Sequence, residues 1–522
     1  MHLPTIRSDL ELALGRYRPL FDDTADDWDA FIETLMRPLP TWLWANPLRT
    51  GGDALAEMLL EEGVVSEPVA WLVPWWGEMA GRLSYASEEV GNSAGRIGSP
   101  AAWRLPPGFK AGRRWWYCAG LAHAQEAVSQ LPVILLDLMP GQRVLDLCAA
   151  PGGKTAQIAL ALGNRGTVVA NDFSAERIAA LQGNLDRLGL VNVSTTRCDG
   201  GNYPAAAGAF DRILVDAPCS SEGTLRRNPS LAWSDSRPGT DAQGTIGPER
   251  SRRMAGRQRA LLRKAAQLCR PGGRIIYSTC TFAPEENELV VADILDQQNG
   301  DLQLVRAQVP GLVTAPGIIR WQGRQLDQTL SRCLRVWPHA NDTGGFFIAV
   351  LEKSVSASGL GVGARAELHA DAADQDWLQG LLSRYAFSES ALDAYRMHRQ
   401  TRRGLHLAAA DHAPPVAPAP QGRGLFAYRT NIRPPKLTTA ASLVLGPAAQ
   451  QNLMPLTAHQ RDGYLRREPL EPGLEQTAGC RPGQVIVTYR GHALGVAVLH
   501  RSGQLESLFP RRWGGCAAGT SS

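Results

Sequence analysis

Between residues 126 and 353 the chain alternates short apolar, β-branched runs with longer stretches in which apolar positions recur every three or four residues. The first pattern marks buried strands and the second amphipathic helices; their alternation predicts an α/β fold around a parallel sheet. The expected strands are Arg143–Leu147, Thr167–Asn171, Val193–Thr196, Arg212–Val215, Arg274–Ser278 and Phe346–Leu351, with helices such as Ala175–Leu188 and Arg257–Cys269 between them. Residues 1–125 mix short helical patterns with several tryptophans, among them Trp42, Trp44, Trp103 and Trp116. Beyond the α/β region, residues 354–420 read as two linkers around a helical stretch, Leu368–Arg403. Ser354–Gly363 is Ser/Gly-rich, and Ala408–Pro420 is an Ala/Pro spacer expected to be extended. Residues 421–522 then form a small β-rich unit with strand-like pieces at Gln484–Tyr489 and Ala493–Leu499. No internal repeat is present.

At 522 residues the chain is too long for one core, so several domains are expected. Hydrophobic residues at 44% and charged residues at 20% fit a globular protein and exclude a disordered or fibrous one. There is no apolar run long enough to span a membrane, and the N-terminus lacks the basic-then-apolar layout of a secretory signal; a cytoplasmic protein with no membrane partner, and a monomer, is expected. Nine cysteines without a CxxC pair argue against a zinc site and a disulfide framework, and leave single thiols as candidate nucleophiles.

The net charge of +4 is unevenly placed. From Gln421 onward twelve Lys and Arg face five Asp and Glu, so this segment carries +7 and the remainder −3. Arg250 to Arg274 holds nine basic residues and no acidic one. Such stretches suit a phosphate backbone, although a solvated helix face would look the same.

The chemistry concentrates at the expected strand ends. Val144-Leu145-Asp146-Leu147 runs into Cys148-Ala149-Ala150-Pro151-Gly152-Gly153-Lys154-Thr155, a small-residue turn that opens a helix. Small residues admit close approach of a ligand, and a helix start offers free N–H groups. A P-loop frame ending on Gly153 and Lys154 would need Gly at 148, where Cys148 stands, and a GxGxxG fingerprint is absent too. Asp172, at the tip of the second strand, is where a doubly wound fold holds ribose hydroxyls, and Asp199 after the third is placed to accept from an adenine amino group. Either carboxylate alone reads as a turn residue; with the Cys148–Lys154 turn they read as a nucleoside site. Two further strand ends carry thiols, Val215-Asp216-Ala217-Pro218-Cys219-Ser220 and Tyr277-Ser278-Thr279-Cys280-Thr281. Strand C-termini in an open α/β sheet face the ligand crevice, which separates Cys219 and Cys280 from the remaining cysteines, read as apolar filler.

Taken in order, LDLCAAPGGKT, DAPCSSEGTLRRNP, GGRIIYSTCTFAPEENE and RVWPHANDTGGFFIAVLEK resemble the Nop/Sun family of RNA cytosine-5 methyltransferases, over about residues 125–353. The resemblance implies a Rossmann-like class I methyltransferase domain that uses S-adenosylmethionine, bound by Cys148, Ala149, Ala150, Pro151, Gly152, Gly153, Lys154, Asp172, Asp199 and Asp216. It also implies that Cys280 is the nucleophile and that Cys219 assists release of the methylated RNA. Thiolate addition at cytosine carbon 6 makes carbon 5 nucleophilic, which explains the need for a thiol. Asp216 is then expected at the N3/N4 edge of the base, with Lys154 beside it. DNA enzymes of this chemistry carry the nucleophile in the Pro-Cys motif, so DNA is disfavoured.

The flanks are similar to a bacterial subgroup acting on small-subunit ribosomal RNA. Leu43-Trp44-Ala45-Asn46-Pro47-Leu48-Arg49 resembles its N-terminal RNA-contacting segment, and Gly483 to Arg512 resembles its PUA-like RNA-binding module. The expected organisation is an N-terminal α+β RNA-binding segment (1–125), the methyltransferase domain (126–353), linkers (354–420) and a PUA-like domain (421–522) holding substrate at a distance. Ribosomal RNA is the expected partner; the same chemistry on tRNA, or a non-catalytic ribosome-assembly factor, are the alternatives. Two departures stand out: Ser221-Glu222 where the family has Gly after Pro-Cys-Ser, and an insertion at about Ser234–Glu249.

Overall fold

The computed structural model describes residues 3–21, 25–85, 101–232, 246–361, 363–368 and 372–513. Most of the Ser234–Glu249 insertion lies outside them.

Ten strands build the central sheet: β1 (Arg143–Asp146), β2 (Thr167–Asp172), β3 (Val193–Arg197), β4 (Phe210–Asp216), β5 (Cys269–Thr279), β6 (Leu302–Val305), β7 (Ala315–Pro316), β8 (Leu334–Val336), β9 (Phe346–Lys353) and β10 (Gly422–Arg423). Their order is β7-β8-β9-β5-β4-β1-β2-β3-β10, with β6 also paired to β9. The run from β5 to β3 is parallel. All six expected strands form, within one to five residues of their predicted limits, because their residues are buried on both faces, as a covered parallel sheet requires.

Three helices place the site: α1 (Gly153–Ala161), α2 (Ala175–Leu188) and α3 (Pro248–Leu268). Ser174 caps α2 by accepting the Arg177 N–H at 3.3 Å, and Gly189 ends it in the left-handed region at φ +73°. Expected from Arg257, α3 starts nine residues earlier, with Pro248 in its first turn where no N–H is needed. Ala255, Gln258, Leu262 and Ala265 form its buried stripe, which leaves Arg252, Arg253, Arg257 and Arg263 exposed on the far side.

The flanks depart from the modular expectation. The N-terminal strand Thr41–Ala45 sits in its own four-stranded sheet, yet Leu43, Trp103 and Trp116 share one core with Leu381, Leu405, Leu425 and Ile486. Leu43–Asn46 is buried, with Asn46 Nδ2 donating to Gly120 O at 2.9 Å and Leu188 O at 3.0 Å, so these four residues act as a structural joint. Arg49 donates to Ala493 O at 3.1 Å, and Trp115 meets Tyr489 edge-to-face with centroids 4.9 Å apart.

Ala408–Pro420 is likewise no free spacer. Ala408 and Ala409 end the strand Gly404–Ala409, the Asp411 carboxylate accepts the Gly166 N–H at 2.8 Å, and His412 meets Ser194 at 2.7 Å. The chain then enters β10, which pairs antiparallel with β3. Alanines and prolines suited to a linker are equally suited to close packing against a sheet edge. Leu368–Arg403, expected helical, forms an α-helix over Ala372–Tyr385 and a 3-10 turn over Glu389–Leu392, and becomes strand at Tyr395–Thr401. A four-stranded sheet, Tyr395–Thr401, Gly404–Ala409, Leu425–Arg429 and Lys436–Leu437, crosses the boundary expected at 421.

The first helices, Leu3–Leu14 and Ala25–Met36, with the 3-10 helix Gly15–Leu20 between them, pack Leu14, Tyr17, Phe31 and Ile32 against Leu225, Phe282 and Trp337 of the α/β domain. No helix among the described residues is long and apolar enough to cross a membrane, and no metal-holding cluster of His, Cys, Asp or Glu occurs there. Cys118 departs from the expectation of single thiols, being disulfide-bonded.

Candidate active site

The site collects where β1, β2, β4 and β5 end. After β1 the chain turns through Cys148–Gly152, with Ala149 N–H bonded to Asn171 O at 2.8 Å. Gly152 sits at φ +104°, and a Cβ there would stand 2.5 Å from Leu181 Cδ1, so the turn admits only glycine. Asp172, 3% exposed, accepts from Ala150 N at 3.2 Å and Ser174 N at 3.0 Å, tying the turn to the tip of β2. Phe173 follows it and is 74% exposed, an aromatic face open beside the turn. Asp199 is exposed and caps a short 3-10 turn, accepting from Gly201 N at 3.1 Å and Asn202 Nδ2 at 2.7 Å.

Sequence reasoning passed over Asp146. Its Oδ2 accepts from Thr155 Oγ1 at 2.7 Å, while its buried Oδ1 has no partner. Burial pushes its carboxyl up to about 7, with the nearby Asp216 adding to the rise and the Thr155 bond and Lys154 opposing it. An acidic residue at the last position of a buried strand was the available signal. An orphaned carboxylate oxygen and an exposed ring at one turn fit a nucleoside ligand with a polar tail, which is what S-adenosylmethionine is.

Parallel pairing of β4 with β5 sets Asp216 opposite Ser278. Cys219 and Cys280 follow that pair by three and two residues, and the sheet brings their Sγ atoms to 3.3 Å. Asp216 lies between partners, accepting from Lys154 Nζ at 2.7 Å and Ser278 Oγ at 2.7 Å. Lys154 also donates to Ser129 Oγ at 2.8 Å and lies 5.3 Å from the centroid of the Phe346 ring. Ser129 and Ser278 had not been singled out; Ser129 carries no sequence signal, because it comes from a different segment.

The thiols are electrostatically unequal. The hydrogen bond with Cys219 holds the Cys280 thiol below its ordinary range, helped by the Lys154 charge and opposed by burial and Asp216. That same bond, with burial, pushes Cys219 well up. Cys280 is therefore the readier thiolate.

Ser221 stands at φ +65°, the left-handed region, which explains why a glycine would be usual there. Its Oγ lies 4.0 Å from Cys219 Sγ. Glu222 is fully enclosed and accepts from Tyr17 OH at 2.7 Å and Thr281 Oγ1 at 2.9 Å, so the N-terminal helices brace the Pro-Cys loop. Ser221 and Glu222, the first of the two departures, thus have a definite structural place.

Residues 133–352 match the family model for 16S rRNA methyltransferase RsmB/F. A tRNA (cytosine(49)-C(5))-methyltransferase of Pyrococcus abyssi is 34% identical over 330 residues, covering 63% of this chain and 93% of that protein. The chain belongs to the RNA cytosine-C5 methyltransferase family. Another family member, Ribosomal RNA small subunit methyltransferase F of Erwinia tasmaniensis, is 34% identical over 339 residues, 64% of this chain and 61% of that protein. The chain spans less than two thirds of the length of the first ribosomal RNA relatives it matches. Among solved structures, a methyltransferase homolog protein from Pyrococcus horikoshii shares the family fold, with a TM-score of 0.52 at 27% identity, covering 67% of this chain and all of that one.

Proposed function

We propose that this protein methylates carbon 5 of a cytosine in ribosomal RNA, with S-adenosylmethionine as methyl donor and Cys280 as covalent nucleophile. The observation that carries the reading is the pair of thiols 3.3 Å apart, with Cys280 alone shifted toward the thiolate, beside the Lys154–Asp216 ion pair.

The turn Cys148–Lys154 with Asp172, Asp199 and Asp216 would hold S-adenosylmethionine, with Asp146 and Phe173 as additional contacts. When bound, this cofactor supplies an electrophilic methyl group on a sulfonium. The Cys280 thiolate adds to carbon 6 of cytosine, which makes carbon 5 nucleophilic. Asp216 faces the N3/N4 edge of the base and offsets the positive charge that develops there, its orientation set by Lys154 and Ser278. Carbon 5 takes the methyl group and then gives up its proton as the bond from carbon 6 to Cys280 breaks. Cys219, 3.3 Å from Cys280, is placed to assist that elimination, which restores the Cys280 thiolate and frees the methylated RNA. The target base has to leave its stack to reach the thiols, as in other enzymes that act on a base. The exposed arginines of α3 and the basic C-terminal region supply phosphate contacts. In this reading the enzyme works as a cytoplasmic monomer.

A second reading, tRNA as substrate, is favoured by the length over which the Pyrococcus abyssi relative matches. Bisulfite sequencing of total RNA from a strain lacking the gene separates the two. Loss of one ribosomal 5-methylcytosine is expected; loss at a tRNA position would favour the second reading. Purified protein that puts no label from S-adenosylmethionine into any RNA would overturn both.

A further inference from the structure

A cavity of about 900 Å³ opens where α2, the sheet that crosses residue 421, and the Arg511–Trp513 end come together. It lies at the β3–β10 edge of the central sheet, four strand spacings from β5, or about 19 Å. Its residues belong to no part of the site described above.

Six basic side chains line it: Arg403, Arg429, Lys436, Arg467, Arg511 and Arg512. Arg512 pairs with Asp186, the one carboxylate in the lining, and Arg467 donates to Phe509 O. The other four have no carboxylate partner among the described residues. Such uncompensated positive charge in a concavity concentrates anions. Behind the cations lies an aromatic wall in which His406 and Phe426 sit with ring centroids 5.1 Å apart, beside Trp513. His406 and Trp513 are each 8% exposed, and His406 Nδ1 and Trp513 Nε1 are buried without a partner. Burial holds the His406 pKa down to about 4, so the ring is neutral at pH 7 and able to donate from one nitrogen and accept at the other. Cations at the rim with rings behind them match how single strands are held, phosphates outside and bases against rings.

We propose that this cavity binds a single-stranded segment of the RNA substrate, remote from the target cytosine, with phosphates on Arg403, Arg429, Lys436 and Arg511 and a base against Phe426. The site deepens the reading that the substrate is RNA and rests on it. An acidic peptide would satisfy the cations but leave the ring wall unused.

The test uses the full chain and a fluorescein-labelled single-stranded RNA, followed by anisotropy, with a duplex of the same strand as comparison. R429Q/K436Q should weaken single-strand binding about tenfold at low salt and flatten its log–log salt slope by about 1.4, the share of two phosphate contacts. F426L should weaken single-strand binding several-fold and leave duplex binding unchanged. Both variants should keep the wild-type melting temperature and S-adenosylmethionine affinity. Unchanged single-strand affinity in both would overturn the proposal, as would an equal loss on single strand and duplex, or displacement of RNA by poly-glutamate as effectively as by unlabelled RNA. Because binding is read without turnover, an inactive protein that still showed these losses would sink the proposed function and leave the cavity standing.

Discussion

The α/β region and the chain on either side of it reach burial by different routes. In the first, strands pair with strands of the same region, β1 with β2 and β4 with β5, and each carries its own apolar run. In the second, Leu43, Leu405 and Ile486 share a core although they come from opposite ends of the chain, and β10 completes the edge of a sheet begun at β1. A segment that looks like an appended module can therefore be a wall of the domain it was thought to hang from.

Removing residues 421–522 should have the largest effect. The cut strips β10 from β3 and half of the shared core, so a loss of cooperative unfolding by circular dichroism is expected. A truncated protein that melted cooperatively and methylated at the full saturated rate would restore the modular view.

Cys280→Ala, inside the α/β region, should instead leave folding and S-adenosylmethionine affinity intact while lowering methyl transfer at least a hundredfold, about 3 kcal/mol in barrier. Scintillation counting of labelled RNA and titration calorimetry measure the two effects; a variant keeping a tenth of the activity would sink the nucleophile assignment.

Cys219→Ala should accumulate an SDS-resistant protein–RNA adduct through Cys280. The rate of adduct formation should rise with pH as Cys280 ionises. Since the Cys219 bond is what chiefly lowers the Cys280 pKa, its loss should move that rise to higher pH. An unmoved profile with normal release would make Cys219 a packing residue.

Asp172→Ala should weaken S-adenosylmethionine binding by about 1–3 kcal/mol, the usual cost of removing a buried hydrogen-bonding partner. Here the mutated group also holds the Ala150 turn, so the loss should exceed that for the exposed Asp199→Ala. Equal affinities for both variants and wild type, by calorimetry, would remove these residues from the cofactor site.

Ser221→Gly should show the smallest change. It relieves a left-handed backbone that disfavours a side chain, and a gain of about 1 kcal/mol in unfolding free energy is expected. A destabilised variant would mean that the serine hydroxyl makes up for the strained backbone.

What could be read from the residues follows the same divide. Strand runs, the Cys148–Lys154 turn, Asp172 and both thiols were legible because each is a local pattern at a strand end. Ser129 and Tyr17 were not, since each matters through a partner far along the chain; Asp146 carried a local signal, an acid closing a buried strand, that went unread. The Ala408–Pro420 reading failed because composition reports what a segment tolerates, and burial depends on what arrives to cover it.

By itself the sequence determined the alternation of strands and helices, the order of the motifs and the chemical types available at the strand tips. These depend on residue period and identity, which the chain carries locally. Only the tertiary structure decided that Cys219 and Cys280 stand 3.3 Å apart with opposite shifts, and that both ends of the chain close one core. Strand register across the sheet sets the first, and packing between residues hundreds of positions apart sets the second.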